Sequence, residues 1–268
     1  MLKILILTGG SPRHIHVANR LSQAAETLAI VQETGSHWTW RKVLRLARPD
    51  NFARKAWRRL RDRRRYTGSG EAKFFFPNRE PALERSDLAI QVPWINDTQV
   101  LELANKLKPD LICVFGTSLI HGPLLDAGRL GMVNLHGGLS PEYRGADCSF
   151  WALYNGEPDK LGCTLHYIDP GIDTGGLIAH VRPPIHPGED ELTLFWRAVK
   201  ESADVYAELL QHLEDGETFG VRQDGKGRLY QVKDRGARHE RQLAKRMDQG
   251  YPNVDLPLRV HWFHKPKD

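Results

Sequence analysis

The sequence predicts an α/β fold: an open, mostly parallel sheet with helices on both faces, plus a small C-terminal helix and β-hairpin region. Three observations predict it. Short apolar runs of strand length, at 2–7, 109–116 and 131–138, alternate with stretches of helical periodicity. The cores of the first two, ILIL and LICVF, are unbroken, as in strands covered on both faces, and all three runs lead into glycine turns. After residue 188 the pattern changes to one long helical repeat and a glycine-rich turn. The expected organisation is a principal domain over 1–188, with a basic helical insert at about 36–85, and an extension over 189–268.

Taken in order, MLKILIL reads as a strand ending in Thr8-Gly9-Gly10-Ser11-Pro12, with Ser11 placed to cap a helix and Pro12 in its first turn. A second strand over 28–32 leads into the insert, which Pro49 and Asp50 would divide into two helices. FFFP at 74–77 and SDLAIQVPWIND at 86–97 resume a strand pattern, and 97–108 reads as a helix. PDLICVFG then reads as a buried central strand, HGPLLDAG at 121–128 as a short helix, and GMVNLHGG as a strand. In 190–214, Leu194, Phe195, Ala198, Val199, Ala203, Val205, Leu209 and Leu210 recur at helical spacing, as core or as a dimer face, and a homodimer is the expected assembly. GVRQDGKGRLYQV at 220–232 reads as a hairpin, and 237–249 as a basic helix.

The first apolar run is too short to span a membrane and no small-residue cleavage site follows it, so the expectation is a cytoplasmic protein with no membrane span. Cys113, Cys148 and Cys163 have neither C-x-x-C nor zinc spacing and are expected as free thiols. His121, His180, His186, His261 and His264 show no metal-ligand spacing, and no metal is expected. The net charge is +5, but residues 41–65 hold twelve Lys or Arg against Asp50 and Asp62, a local +10, so the rest sums to −5. Such a patch suits an RNA backbone, an acidic lipid surface or a phosphorylated ligand, or is simply a solvated pair of helices.

In an open α/β sheet the ligand crevice lies outside the carboxyl ends of the strands, where the turns after Leu7, Phe115 and Leu135 should converge. The chain has no G-x-G-x-x-G and no G-x-x-x-x-G-K-[ST], which removes most of the case for dinucleotide redox or NTPase chemistry. Asn134 and His136, two apart on one strand, share a face. Asp173, closing the turn Asp169-Pro170-Gly171-Ile172-Asp173, can supply a carboxylate that keeps the imidazole protonated and oriented. Together they suit oxyanion stabilisation and proton movement in acyl transfer; read structurally, they are a hydrogen-bonded His and two turn residues.

The run from Asn134 to Gly176 resembles the folate-dependent formyltransferases, which act on glycinamide ribonucleotide, methionyl-tRNA and amino sugars. The similarity rests on Asn134-Leu135-His136, Tyr143-Arg144-Gly145, Gly162-Cys163-Thr164-Leu165-His166 and the turn ending at Asp173. It is strong over about 110–180 and plausible over 1–35. The resemblance implies a Rossmann-like catalytic domain and transfer of a formyl group from 10-formyltetrahydrofolate, with Asn134, His136 and Asp173 catalytic. By the same similarity the folate lies against Gly116, Ser118, Leu119, Ile120, Ile168, Asp169 and Gly171, and the turn at Pro141 holds a cis peptide. One departure is His136-Gly137-Gly138-Leu139-Ser140-Pro141, where the family has a Ser two residues after the His, so a hydroxyl beside the imidazole is lost.

For the acceptor, the resemblance points to a small, phosphorylated amine, foremost a nucleotide-linked amino sugar. Gly9, Gly10, Ser11, Tyr143, Arg144 and His166 are its expected contacts, with phosphates at the helix N-terminus or on the insert's arginines. Methionyl-tRNA is the alternative partner. Against it stand the long helix-patterned insert, a tail after 215 that looks short for a tRNA-binding barrel, and His166 where a Met is expected. Hydrolysis of 10-formyltetrahydrofolate would use the same three residues with water as nucleophile.

Overall fold

The computed structural model describes residues 1–35, 56, 70–225 and 227–265. Among the described residues eight strands form one sheet: β1 (Lys3–Thr8), β2 (Glu26–Glu33), β3 (Ala89–Val92), β4 (Leu111–Phe115), β5 (Met132–His136), β7 (Cys163–Tyr167), β8 (Leu177–Arg182) and β10 (Arg259–Trp262). Their order is β10-β8-β7-β5-β4-β1-β2-β3. From β3 to β5 every pairing is parallel; from β5 through β7 and β8 to β10 every pairing is antiparallel. The chain runs outward from β1 through β2 to β3, then returns to lay β4 on the other side of β1. That reversal is the topological switch at which α/β sheets open a crevice.

Alternation along β1 explains the two cores. Ile4 and Ile6 face one side, with α1 (Pro12–Ala24), α4 (Cys148–Tyr154) and α5 (Glu191–Glu214); Leu5 and Leu7 face the other, with α3 (Thr98–Leu107). A short helix α2 (Gly70–Phe75) leans on the first core and a basic helix α6 (Ala237–Met247) closes the chain's last helical segment. Asp190 starts α5 by accepting from the Leu192 and Thr193 amides at 2.9 and 3.1 Å. Of the eight apolar positions expected on this helix, seven are in the core and Phe195 is half-buried beside it, so that face is consumed by folding and a dimer would need another surface.

Tyr206 of α5 is fully buried beneath the β4–β5 pair. Its hydroxyl donates to the Val133 carbonyl at 2.7 Å and accepts from the Val114 amide at 3.2 Å. Tyr206→Phe deprives two buried backbone groups of this partner at once, and a loss of about 1–3 kcal/mol is expected. Urea unfolding checks this: the midpoint should fall with an unchanged slope.

Some local expectations change. Phe74 and Phe75 lie in α2 rather than a strand, because they pack as a helical turn against Trp196 and the α1 histidine His16. The turn at Asp224-Gly225 does not close a hairpin. Val221 on one side bridges to Leu177, while β9 (Arg228–Tyr230) on the other pairs in parallel with β6 (Tyr143–Gly145), 85 residues earlier in register. Pairing with β6 instead stacks Tyr230 on the Tyr143 and Trp151 rings, contacts that the local turn does not offer. Apart from residue 56, the two helices expected within 41–65 lie outside the described residues. Beyond 189, α5 shares the principal core and β10 extends the principal sheet. Among the described residues no helix is long and apolar enough to cross a membrane.

Candidate active site

The antiparallel register of β5 on β7 sets Asn134 opposite His166 and His136 opposite Thr164. Asn134 Nδ2 lies 3.2 Å from His166 Nε2. His166 Nδ1 donates to the Tyr167 carbonyl at 2.7 Å, and its Nε2 faces both the Asn134 amide and the Asp173 carboxylate. Asp173 reaches both imidazoles: its Oδ2 is 3.5 Å from His136 Nδ1 and its Oδ1 is 3.6 Å from His166 Nε2. The Gly145 amide anchors the same carboxylate at 2.8 Å.

The glycines of this turn have steric causes. A Cβ on Gly171 would lie 1.8 Å from Thr174 Oγ1, and one on Gly175 would lie 1.8 Å from the Tyr167 carbonyl oxygen. Asp169 ties the turn from inside, accepting from the Gly171 amide at 3.0 Å and the Thr174 hydroxyl at 2.6 Å. Asp173 itself is left-handed, with φ of 52°, a conformation that Asp tolerates better than most residues.

Electrostatics corrects one expectation. Burial would raise the Asp173 carboxyl, yet hydrogen bonding to His166, the positive charge that His136 carries when protonated and the Gly145 amide hold it at about 2. His136 moves the other way from what the sequence suggests: burial pushes its pKa below the ordinary value, against the pull of Asp173. A carboxylate at 3.5 Å is too distant for a short charged hydrogen bond, so desolvation wins. The resting imidazole is therefore uncharged near neutrality. Its Nε2 lies 3.0 Å from the Tyr143 carbonyl oxygen, so with Asp173 each ring nitrogen has an acceptor beside it. A proton gained during a reaction has a partner on either side.

Three adjoining cavities meet at these residues. One of about 170 Å³ is lined by Ser118, Leu119, Ile120, Ile168, Asp169 and Gly171, together with Asn134, His166 and Asp173. An open cleft of about 690 Å³ shares Asn134 and Asp173 with it, includes Gly116, and is rimmed by the exposed apolar side chains Leu119, Ile172 and Leu229. A third cavity, of about 260 Å³, opens beyond His136. Six of the seven residues expected around the folate thus line the smallest cavity, and Gly116 lines the cleft next to it. Ser118 is already engaged, since Glu33 accepts from its amide at 2.5 Å and its hydroxyl at 2.7 Å.

The residues expected to hold the acceptor are dispersed. His166 lines the smallest cavity, but Gly9, Gly10, Ser11, Tyr143 and Arg144 line none of the three. Gly9 and Gly116 instead make room for His14: a Cβ on either would come within 2.5 and 2.2 Å of that ring. Burial drives the His14 pKa down to about 3, and the neutral ring accepts from the Ser11 amide at 3.3 Å. Tyr143 is buried, with its hydroxyl on Glu157 and Asn155, and its carbonyl rather than its ring faces the site.

Sequence reasoning passed over Arg13, Cys148, Phe195 and Tyr230, all of which line the cavities. Arg13, two residues past Ser11 on α1, had the nearest signal. Cys148 Sγ stands 3.6 Å from His136 Nε2, and burial keeps its thiol protonated. It occupies the side of the imidazole against which a Gly138 side chain would press, since a Cβ there would lie 2.5 Å from Cys148 Cβ and 2.8 Å from His136 Nε2. The missing hydroxyl of the glycine turn is thus a consequence of space. Ser140–Pro141 is cis, as expected.

A family model described as Formyl transferase matches residues 63–210, more than half of the chain. The chain belongs to the formyl transferase family. Methionyl-tRNA formyltransferase of Agathobacter rectalis is 34% identical over 151 residues, covering 56% of this chain and 48% of the relative. That of Trichlorobacter lovleyi is 35% identical over 156 residues, covering 58% and 49%. This formyl transferase family member thus spans about half the length of the curated relatives it matches. Among solved structures, a 4-N formyltransferase from Francisella tularensis is similar with a TM-score of 0.58, 14% identity and coverage of 97% and 98%. A sugar N-formyltransferase from Shewanella sp. FDAARGOS_354 gives a TM-score of 0.57, 14% identity and full coverage of both chains. At these identities the structural likeness establishes the shared α/β, Rossmann-like fold.

Proposed function

We propose that this protein transfers a formyl group from 10-formyltetrahydrofolate to the primary amine of a small acceptor, a nucleotide-linked amino sugar. The observation that carries the reading is Asp173, anchored on the Gly145 amide and held between His136 and His166 at 3.5 and 3.6 Å, where a narrow cavity meets an open cleft. The narrow cavity suits a flat heterocycle, with Leu119, Ile120 and Ile168 as walls and the turn at Asp169–Gly171 as its polar edge.

The formyl donor supplies an electrophilic carbonyl carbon. Asn134 donates to the oxygen on which negative charge develops, in the manner of an oxyanion hole. His136, uncharged at rest, takes the proton released by the attacking amine. Asp173 and the Tyr143 carbonyl then stabilise the imidazolium, which returns the proton to the departing nitrogen.

A thermal shift with 5-formyltetrahydrofolate tests the donor. At about 100 times the dissociation constant the stabilisation is about 2.7 kcal/mol, on the order of 5–10 °C for a chain of this size. No shift at saturation would reject the folate reading. Mass analysis of products separates the remaining choices. The methionyl-tRNA reading is favoured by the sequence relatives and requires formyl on charged initiator tRNA, with an affinity that falls steeply with salt. Free formate from water alone would mean hydrolysis.

A further inference from the structure

The turn that carries Asp173 is held from two directions, and the second hold comes from far along the chain. At the side-chain end, the Gly145 amide donates to Asp173 Oδ2 at 2.8 Å. At the main-chain end, Gln223 Nε2 donates to the Asp173 carbonyl at 2.9 Å and to the Gly175 carbonyl at 2.8 Å. An amide nitrogen has two hydrogens, and here each meets a different carbonyl of one turn. Because both partners are acceptors, they also fix which end of the amide faces them. Gln223 Oε1, by contrast, is buried with no hydrogen-bond partner among the described residues, a state that costs free energy. The side chain serves the turn and leaves its own oxygen unsatisfied.

The segment bearing Gln223 is itself built against this turn. The Leu177 amide donates to the Val221 carbonyl at 2.8 Å, and the Leu177 carbonyl accepts from the Gly220 and Val221 amides at 3.0 Å each. The two backbones approach closely: a Cβ on Gly176 would lie 2.8 Å from the Gly220 carbonyl oxygen. Both holds matter because Asp173 has a φ of 52°, a left-handed conformation that a residue other than glycine keeps when its surroundings impose it. If the turn relaxed, the carboxylate would leave its place 3.5 Å from His136 Nδ1 and 3.6 Å from His166 Nε2. Gln223 lies beyond residue 210, where the family match ends.

We propose that Gln223 is a positioning residue, whose amide locks the turn at 173–175 so that the Asp173 carboxylate stands between the two imidazoles. It touches no reacting atom and acts through Asp173. Its effect on rate rests on the formyl-transfer reading, whereas the placement of the carboxylate can be measured without any reaction. The segment 220–223, expected as part of a hairpin, is instead a clamp on the turn, and through it the C-terminal extension takes part in the site.

Gln223→Met and Gln223→Leu, close to glutamine in size, remove both N–H donors. In each, kcat for formyl transfer should fall on the order of 10- to 100-fold, the scale of a misplaced catalytic group, while KM for the formyl donor stays within about 2-fold. NMR titration of the histidine ring protons in the full chain gives a readout independent of turnover. Burial lowers the His136 pKa and the Asp173 charge opposes it, so a carboxylate no longer held in place should let the His136 midpoint fall further, in the direction that Asp173→Asn moves it. The other groups facing that ring, His166, Arg144, Cys148 and the Tyr143 carbonyl, are the same in every variant. Circular dichroism establishes folding, and either variant decides alone if the other does not fold. Wild-type kcat, a loss carried by KM instead, or an unmoved His136 midpoint in a folded variant overturns the role of Gln223 and leaves formyl transfer intact. A lowered midpoint in a chain whose wild type transfers no formyl group supports the clamp and rejects the formyl-transfer reading.

Discussion

Replacing His136 by Asn or Ala is expected to lower formyl transfer by about 100-fold or more while the chain stays folded. The loss should fall on kcat rather than KM, because the proton acceptor and its two oxygen partners act when charge develops and not when substrate binds. Asp173→Asn should approach the same loss, since the imidazolium would then face an uncharged amide at 3.5 Å. The pH dependence supplies the sign. A lowered His136 pKa means that the uncharged ring is present at neutrality, so activity should be lost on acidification, with a midpoint below the ordinary imidazole value near 6.5. If a protonated resting His136 were the working form, the rate would instead fall as pH rises through that region. Circular dichroism and folate-induced stabilisation in the same variants separate lost chemistry from lost structure. Near-wild-type rates in His136→Asn would remove it from the mechanism.

Arg235→Met is expected to cost on the order of 3 kcal/mol in stability, the largest single loss predicted for a side chain outside the two hydrophobic cores. The reason is what it leaves behind. Asp147, Glu191 and Glu240 would remain partly buried around a neutral side chain, with no cation to offset their repulsion. Arg235→Lys should recover little, because a single ammonium cannot reach three carboxylates that the guanidinium meets through separate nitrogens. Combining Arg235→Met with Asp147→Asn should restore part of the loss, since one of the stranded charges is gone. Urea unfolding of the three variants measures this series. A midpoint for Arg235→Met within error of wild type would show that the cluster is solvated rather than structural.

Much of the fold was legible because its signals are local. ILIL and LICVF read as strands buried on both faces, and Ser11-Pro12 marks the start of α1, although the Ser11 side chain makes no cap hydrogen bond there. The pairing of Asn134 and His136 was legible for the same reason, since a period of two places both on one face of any strand. The turn at Asp173 was legible as a turn, and the family resemblance supplied its connection to the strand.

What the sequence determined by itself, then, was the alternation of strands and helices, the strand-end position of Asn134 and His136, and membership in a family of formyl transferases. Tertiary structure alone decided the rest. Arg235 sits in RGARHE, a stretch that reads as ordinary surface, and its partners Glu191 and Asp147 lie 44 and 88 residues away in the chain. The segment 228–230 left its local turn for β6, because closing that long loop costs entropy that grows only logarithmically with length while pairing buries Tyr230 against Trp151 and Tyr143. The charge of His136 was decided the same way. Spacing along the chain can announce a neighbouring carboxylate, but how much water is excluded around a ring depends on every element packed over it, and here exclusion outweighs attraction.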